Sequence, residues 1–320
     1  MIHFCEASKK NAVEFKPQDL SNTMWSAATL GFSPPADWMN HFLEASKQKM
    51  ATLNSKDFSQ TIWALAVSRH RPIDAWLQLF LDASLNKSYI FNAQDLSTIL
   101  WGLAALGVAP GADWMDAWAT RVAALIDTLP SRNAVNSLWA LTVLQMQDSG
   151  VFWSLLQQAF HLLTPESDGR DLYSIYDVLQ IAAAKKVDGL PTPDASLLEV
   201  ARKAWNRDLV EQAQQRASFD HQAVMSVLGE LGVAHEQEHF CLQTGRSIDI
   251  ALLDRRIAIE VDGPSHFLNT QKRTDGTLLR NRVLKGAGSV VSIPFFEWDA
   301  LKSMSAQKEY IQRKLSSTGR

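Results

Sequence analysis

The chain has 320 residues, 46% of them hydrophobic, and a formal charge of −3 at pH 7, enough to bury a core and to build two domains, or one domain and a short array. That charge excludes a global basic field, so any polyanion must be held by a local patch. Two cysteines, Cys5 and Cys241, give neither a disulfide framework nor a clustered zinc signature, no apolar run approaches a membrane span, and the first residues carry no secretory or obvious long transit pattern.

The first ten residues, MIHFCEASKK, return at 39–48 as MNHFLEASKQ. A longer period explains this echo. DLSNTMWSAATLG, DFSQTIWALAVSR, DLSTILWGLAALG and NAVNSLWALTVLQ place Trp25, Trp63, Trp101 and Trp139 at steps of 38 residues. Trp38, Trp76, Trp114 and Phe152 keep the same step, as do Phe4, Phe42 and Phe80. Each unit reads as two helices. In the first, Leu20, Met24, Trp25 and Ala28 are expected on one face. Asn54 and Asn92 suit N-caps, with Asp57 and Asp95 in the first turn, and Gly31 and Gly107 suit helix ends. The second helix starts near PPADW, RPIDAW or APGADW, with proline expected in its first turn, and runs through FLEAS or FLDAS. One such pair cannot bury its apolar face alone, so a stack is expected: an α-solenoid of 38-residue helical pairs over 1–164. The chain then begins in mid-repeat, with Cys5 on a half-uncovered face; upstream repeats are the expected continuation, the alternative being an atypical cap. Past 150 the pattern loosens, and residues 165–215 read as a degenerate repeat or a helical bridge.

Within the first helices one polar column varies between repeats: Asn22, Gln60, Thr98 and Asn136. One turn earlier stand Gln18, Lys56, Gln94 and Arg132. Amides and hydroxyls that change from unit to unit are what a modular base reader needs. The alternative is a solvated face that drifts freely. The tryptophan columns are expected in the core between helices. The 38-residue pair, with its LW-A-L-G and PP-x-W signatures, resembles the octotricopeptide repeat family. That resemblance implies a sequence-specific binder of single-stranded RNA in mitochondria or plastids.

From 218 the period changes. SFDHQAVMSVLGELG (218–232) reads as a helix, HEQEHFCLQ (235–243), SIDIALL (247–253) and RIAIEV (256–261) as strands, 273–286 as a helix, VVSI as a further strand and SMSAQKEYIQRKL as a closing helix. Trp298 is expected to pack on the sheet. This is a small α/β domain of about 100 residues. Asp249 lies in mid-strand, and Glu260 and Asp262, two apart, point to one side. Three such carboxylates can hold Mg²⁺ or Mn²⁺, with Glu230 and Glu238 as candidate additions; the other reading makes them strand-end turn and capping groups. Lys272, Arg273, Arg280, Arg282 and Lys285 stand against a single acid, Asp275. This local excess of +4 is the natural phosphate contact, against the alternative of a solvated charged face.

RIAIEVDGPSHFLN, with SIDIALL before it and LLRNRVLKGAGSVVSIPFFEW after it, resembles the RAP domain over about 218–315, a module that often ends organellar helical-repeat proteins. The likeness implies RNA binding and a fold related to PD-(D/E)xK restriction-type nucleases. By that likeness Asp249 matches the metal-binding aspartate and Glu260 the acid of the E-x-K element, while Asp262 stands where the lysine would be. Its loss weakens the nuclease case, with His266 or Lys272 as candidates to compensate.

The combined expectation is a protein that binds single-stranded RNA in organellar RNA processing, stability or translation, with no cofactor required for binding. The alternatives are an RNA endonuclease dependent on Mg²⁺ or Mn²⁺, with Asp249, Glu260, Asp262 and His266 at its centre, and a protein-binding solenoid of a ribosomal or other organellar RNA–protein complex.

Overall fold

The computed structural model describes residues 2–184, 193–216 and 219–318. Two compact units divide the chain, Met1–Leu163 with Leu268–Asp275, and Thr164–Phe267 with Gly276–Arg320. The first is all helical: α1 (Ile2–Asn11), α2 (Pro17–Thr29), α3 (Ala36–Gln48), α4 (Ser55–Val67), α5 (Asp74–Asn86), α6 (Ala93–Ala105), α7 (Ala112–Leu125), α8 (Ser131–Val143) and α9 (Gly150–Leu162). The first helices α2, α4, α6 and α8 pack side by side in sequence order, and α3, α5, α7 and α9 follow one another in a second layer. This is an α-solenoid of helical pairs.

The caps follow from local chemistry. Asn54 accepts from the Asp57 N–H at 2.9 Å while Asp57 accepts from the Asn54 N–H at 3.0 Å, and Asn92 with Asp95 repeats the box. Two orphan donors are satisfied at each helix start. Gly31 and Gly107 end their helices at φ +65° and +69°, where a Cβ would be strained. The prolines stand just outside the second helices rather than in their first turn: Pro35 is the residue before α3, and Pro72 precedes α5 by two.

Asp57 and Asp95 also tie repeats together, because Ser21 donates to Asp57 at 2.8 Å and Ser59 to Asp95 at 2.9 Å. In the other layer, the indole N–H groups of Trp38, Trp76 and Trp114 donate to Ser8, Ser46 and Ser84 of the preceding repeat at 2.9, 3.1 and 2.9 Å. Those three indoles, Phe42, Phe80 and Phe152 are buried. Such a repeated bond fixes the register of stacking, since a buried indole N–H without an acceptor is costly. Cys5 is buried as well, against the expectation of a half-covered face, because α3 packs on α1. The side chain of Phe4 lies outside the described residues.

The second unit contains α10 (Gly169–Ala184), α11 (Ala195–Arg216), α12 (Phe219–Glu230), β1 (Glu236–Cys241), β2 (Arg246–Leu252), β3 (Ile257–Asp262), α13 (Asp275–Lys285), β4 (Ser289–Pro294), α14 (Phe295–Trp298) and α15 (Met304–Ser316). Its sheet is open, in order β1-β2-β3-β4, antiparallel except for the parallel β3–β4 pair. The α13 crossover supplies that parallel connection. Val224, Val227 and Leu228 of α12, Ile250, Ile259 and Ile293 of the strands, and Trp298, Tyr310 and Ile311 form its core. The α10–α11 pair packs Tyr176 against Trp205, with centroids 5.3 Å apart, and is fastened to β2 by a buried ion pair between Arg246 and Asp177. The Arg246 guanidinium also lies 5.6 Å over the Trp205 ring.

Candidate nucleic-acid interface and carboxylate cluster

In the repeat unit the varying polar column falls along one stripe of the first helices. Gln18, Lys56 and Gln94 are exposed, while Asn22, Gln60, Thr98, Arg132 and Asn136 are half-buried. The Gln60 carbonyl oxygen Oε1 is shut off from solvent without a hydrogen-bond donor among the described residues. The tryptophans of the same helices do not join the core as expected. Leu20, Met24 and Ala28 are buried, but Trp25 is 39% exposed, and Trp63, Trp101 and Trp139 are half-buried. The reason is angular: Met24 and Trp25 differ by about 100° on the helix, so a seam centred on 20, 24 and 28 leaves 25 on the stripe of 18 and 22.

The second unit gathers charges at the sheet. The β2–β3 register, which pairs Ile250 with Ile259, sets Asp249 opposite Glu260. Asp249, Glu260 and Asp262 are all buried, at 1–2% exposure. Asp249 Oδ2 accepts the Val261 N–H at 2.9 Å, and its Oδ1 meets Arg280 Nη2 at 3.3 Å. The same Arg280 nitrogen lies 2.7 Å from Glu260 Oε2 and donates to the Ser247 carbonyl at 2.9 Å. The Glu260 contact is an ion pair off the hydrogen-bonding direction, and both Glu260 oxygens lack a directed donor. Burial, the adjacent Asp249 charge and Asp262 together push the Glu260 carboxyl well above its usual range, although Arg280 opposes them. Asp262 is engaged on its own side, by His266 Nδ1 at 3.1 Å and by Ser292.

Five groups predicted to bear charge toward phosphate therefore divide. Lys272 and Lys285 are exposed, and Arg273 and Arg282 are half-buried. Arg280 is instead turned inward onto Asp249 and Glu260, because its place on α13 lies over the face of the sheet where Leu284 packs against Ala251 and Ala258. The side chain of Asp275 lies outside the described residues.

One member of the cluster carries no sequence signal. His221, in the first turns of α12, is buried, with Nε2 3.7 Å from Asp249 Oδ2 and Nδ1 3.6 Å from Glu238 Oε1. Ligand atoms of His221, Glu238 and Asp249 lie within 4.8 Å of one another. Glu238 reaches inward from a backbone at φ +50°, opposite Asp249. Burial disfavours the imidazolium, yet the Glu238 contact and the Asp249 and Glu238 charges outweigh it, so the His221 pKa is raised. His221 Nδ1 and Glu238 Oε1 are buried without hydrogen-bond partners, so the trio fits a small divalent cation. One imidazole with two carboxylates favours Mn²⁺ or Zn²⁺ over Mg²⁺. The Asp249–Glu260–Asp262 set does not fit as it stands: the Arg280 guanidinium occupies the first two carboxylates and the third is bound elsewhere.

Among the described residues, no helix is long and apolar enough to cross a membrane. Residues 4–176 match the family described as the Tbc2 translation factor, N-terminal domain, and residues 259–314 match the RAP domain. A rice protein, "RAP domain-containing protein, chloroplastic" from Oryza sativa subsp. japonica, is 26% identical over 190 residues, covering 56% of this chain and 29% of that protein. The chain thus spans less than a third of that relative's length. With a match over more than half its length and a second at its sheet, the chain belongs to the Tbc2 translation factor N-terminal domain family and carries a RAP domain after the helical repeats.

Proposed function

We propose that this chain binds single-stranded RNA in organellar RNA processing, stability or translation, with the helical repeats reading bases and the RAP domain gripping one end. The observation that carries the reading is the column Asn22, Gln60, Thr98 and Asn136, backed by Gln18, Lys56, Gln94 and Arg132. It recurs once per repeat on one stripe of the first helices, exposed at Gln18, Lys56 and Gln94 and half-buried at the other positions. Amides of this kind pair with base edges. We read the units as octotricopeptide repeats. The description of the matched family as a translation factor and the chloroplastic relative favour a chloroplast or mitochondrial setting. Exposed Lys272 and Lys285, with Arg273 and Arg282, supply phosphate contacts, whose binding weakens with salt. No metal is needed for this binding.

The test is incubation of the full chain with a pool of labelled single-stranded RNAs, in Mn²⁺ and in EDTA, scoring retained and cut molecules together. Retention in both buffers is expected, and exchange of Asn22, Gln60, Thr98 and Asn136 should change the sequences retained. Unchanged preference after the exchange would overturn base reading, and loss of all retention would turn attention to a protein partner such as a ribosomal assembly. The convergence of His221, Glu238 and Asp249 supports a second reading, a metal-dependent ribonuclease. Metal-dependent products lost in Asp249→Ala would establish it. Arg280 on Asp249 weighs against it, since a fixed guanidinium competes with a cation for that carboxylate.

A further inference from the structure

The two tryptophan columns of the repeats are not equivalent. Trp38, Trp76 and Trp114 are buried, and each indole N–H donates to a serine of the preceding repeat. Trp25, Trp63, Trp101 and Trp139 recur just as regularly, but none of their indole N–H groups has an acceptor among the described residues, and none is among the buried unpaired atoms. They meet in tilted pairs instead: Trp25 with Trp63 at 6.2 Å and 38°, and Trp101 with Trp139 at 6.1 Å and 37°. One column is sealed between repeats, while the other, also in contact from repeat to repeat, leaves part of its indole surface and a polar N–H on the outside.

We infer that the second column is a stacking ladder for the unpaired bases of a single-stranded RNA, lying alongside the polar column that touches base edges. The inference rests on the proposed reading of the repeats and adds a separate physical term to it. Residues 18, 22, 25 and 29 of α2, and their equivalents at each step of 38, fall within about 60° of one another on a helix. The stripe therefore presents an aromatic face beside amides or a hydroxyl in every repeat.

Charge favours RNA over an acidic or apolar protein segment. The first helices contain only three acids, Asp19, Asp57 and Asp95. Asp57 and Asp95 are buried in caps and inter-repeat bonds, and Asp19 closes the Lys16 N–H. The exposed acids of the repeats sit mainly on the second helices, as at Asp37, Asp74, Asp82 and Asp116. The stripe itself bears Lys56 and Arg132 and no acid. In a part of the chain with more acids than bases, residues 1–215 having 22 against 17, that separation leaves one face open to a polyanion. Bases stack on indole whatever their identity, whereas a duplex hides its bases, so the ladder selects single strands and leaves sequence choice to the amides.

The experiment measures binding of single-stranded RNA, the matching duplex and a ribose-phosphate oligomer without bases to the full chain and to Trp25→Leu and Trp101→Leu. Circular dichroism and melting report folding. Each substitution is expected to weaken single-strand binding about five- to a hundredfold, equally for all sequences, and to leave binding of the base-free oligomer unchanged. Folded variants that bind like the parent, or that lose the base-free oligomer equally, would overturn the ladder while leaving the polar column standing. A parent chain that retains no RNA sinks both readings. If a variant does not fold, 4-thiouridine crosslinking to the parent chain decides: adducts at Trp25, Trp63, Trp101 or Trp139 support the ladder, and adducts confined to other peptides refute it.

Discussion

Replacing Arg280 with methionine tests the charge arrangement at the sheet most directly. The substitution keeps much of the stem volume and removes the guanidinium from Glu260 and Asp249, both nearly sealed from water. Removing one partner of a buried pair typically costs about 3–5 kcal/mol. Glu260 can avoid part of this by keeping a proton, which its environment already favours. Holding that proton at pH 7 against a free value of 4.5 costs at most about 3.4 kcal/mol, and at pH 5 about 0.7 kcal/mol. The sign follows from linkage: Arg280 lowers the Glu260 pKa, so its removal lets the folded state hold the proton to higher pH than the unfolded state does. The destabilisation should not exceed about 3–5 kcal/mol at pH 7 and should be smaller at pH 5. Hydrogen exchange of peptides spanning 246–262 reads this locally, whatever the repeats do. Unchanged protection at pH 7, or a loss of the same size at both pH values, would refute the buried neutralising role.

Both Glu260 and His221 have raised folded pKa values, so their contributions are full below about 4.5 and 6.5 and are lost as pH rises through the folded values. Protection of the sheet should fall as the pH rises above about 4.5, with a flatter profile in Glu260→Gln; a profile unchanged by that substitution contradicts the assignment. Mn²⁺ or Zn²⁺ at about a hundred times its dissociation constant should stabilise the sheet unit by about 2.7 kcal/mol, an effect that calorimetry should find absent in His221→Ala. Asp57→Ala removes a capping acceptor and the Ser21 bond, with an expected cost of about 2–3 kcal/mol in urea unfolding; a loss below about 0.5 kcal/mol would show that the repeats do not depend on it. Gly288→Ala places a Cβ 2.2 Å from the Arg256 carbonyl oxygen, so it should lower the melting point of the sheet unit by disturbing the start of the β3–β4 pair. An unshifted transition would mean that the approach is looser.

The sequence alone determined the helical pairs, because a step of 38 residues repeats the seam of large apolar side chains, with the Asn–Asp capping box at 54/57 and 92/95 and a helix-end glycine at 31 and 107. It also determined the strands of the RAP domain and put Asp249 and Glu260 on consecutive strands, while the register that sets them opposite each other came with the paired sheet. Tertiary structure alone decided what each charge or ring faces. Met24 and Trp25 are neighbours in sequence, and only the angle of the packed helix sends one inward and the other to the surface. Arg280 reads as one more cation in a basic run until α13 lies across the sheet and carries it to two buried carboxylates. His221 belongs to an unremarkable helix start. Its chemistry arises from proximity to Glu238 and Asp249, residues 17 and 28 positions further along the chain, and no local pattern encodes a contact over that separation.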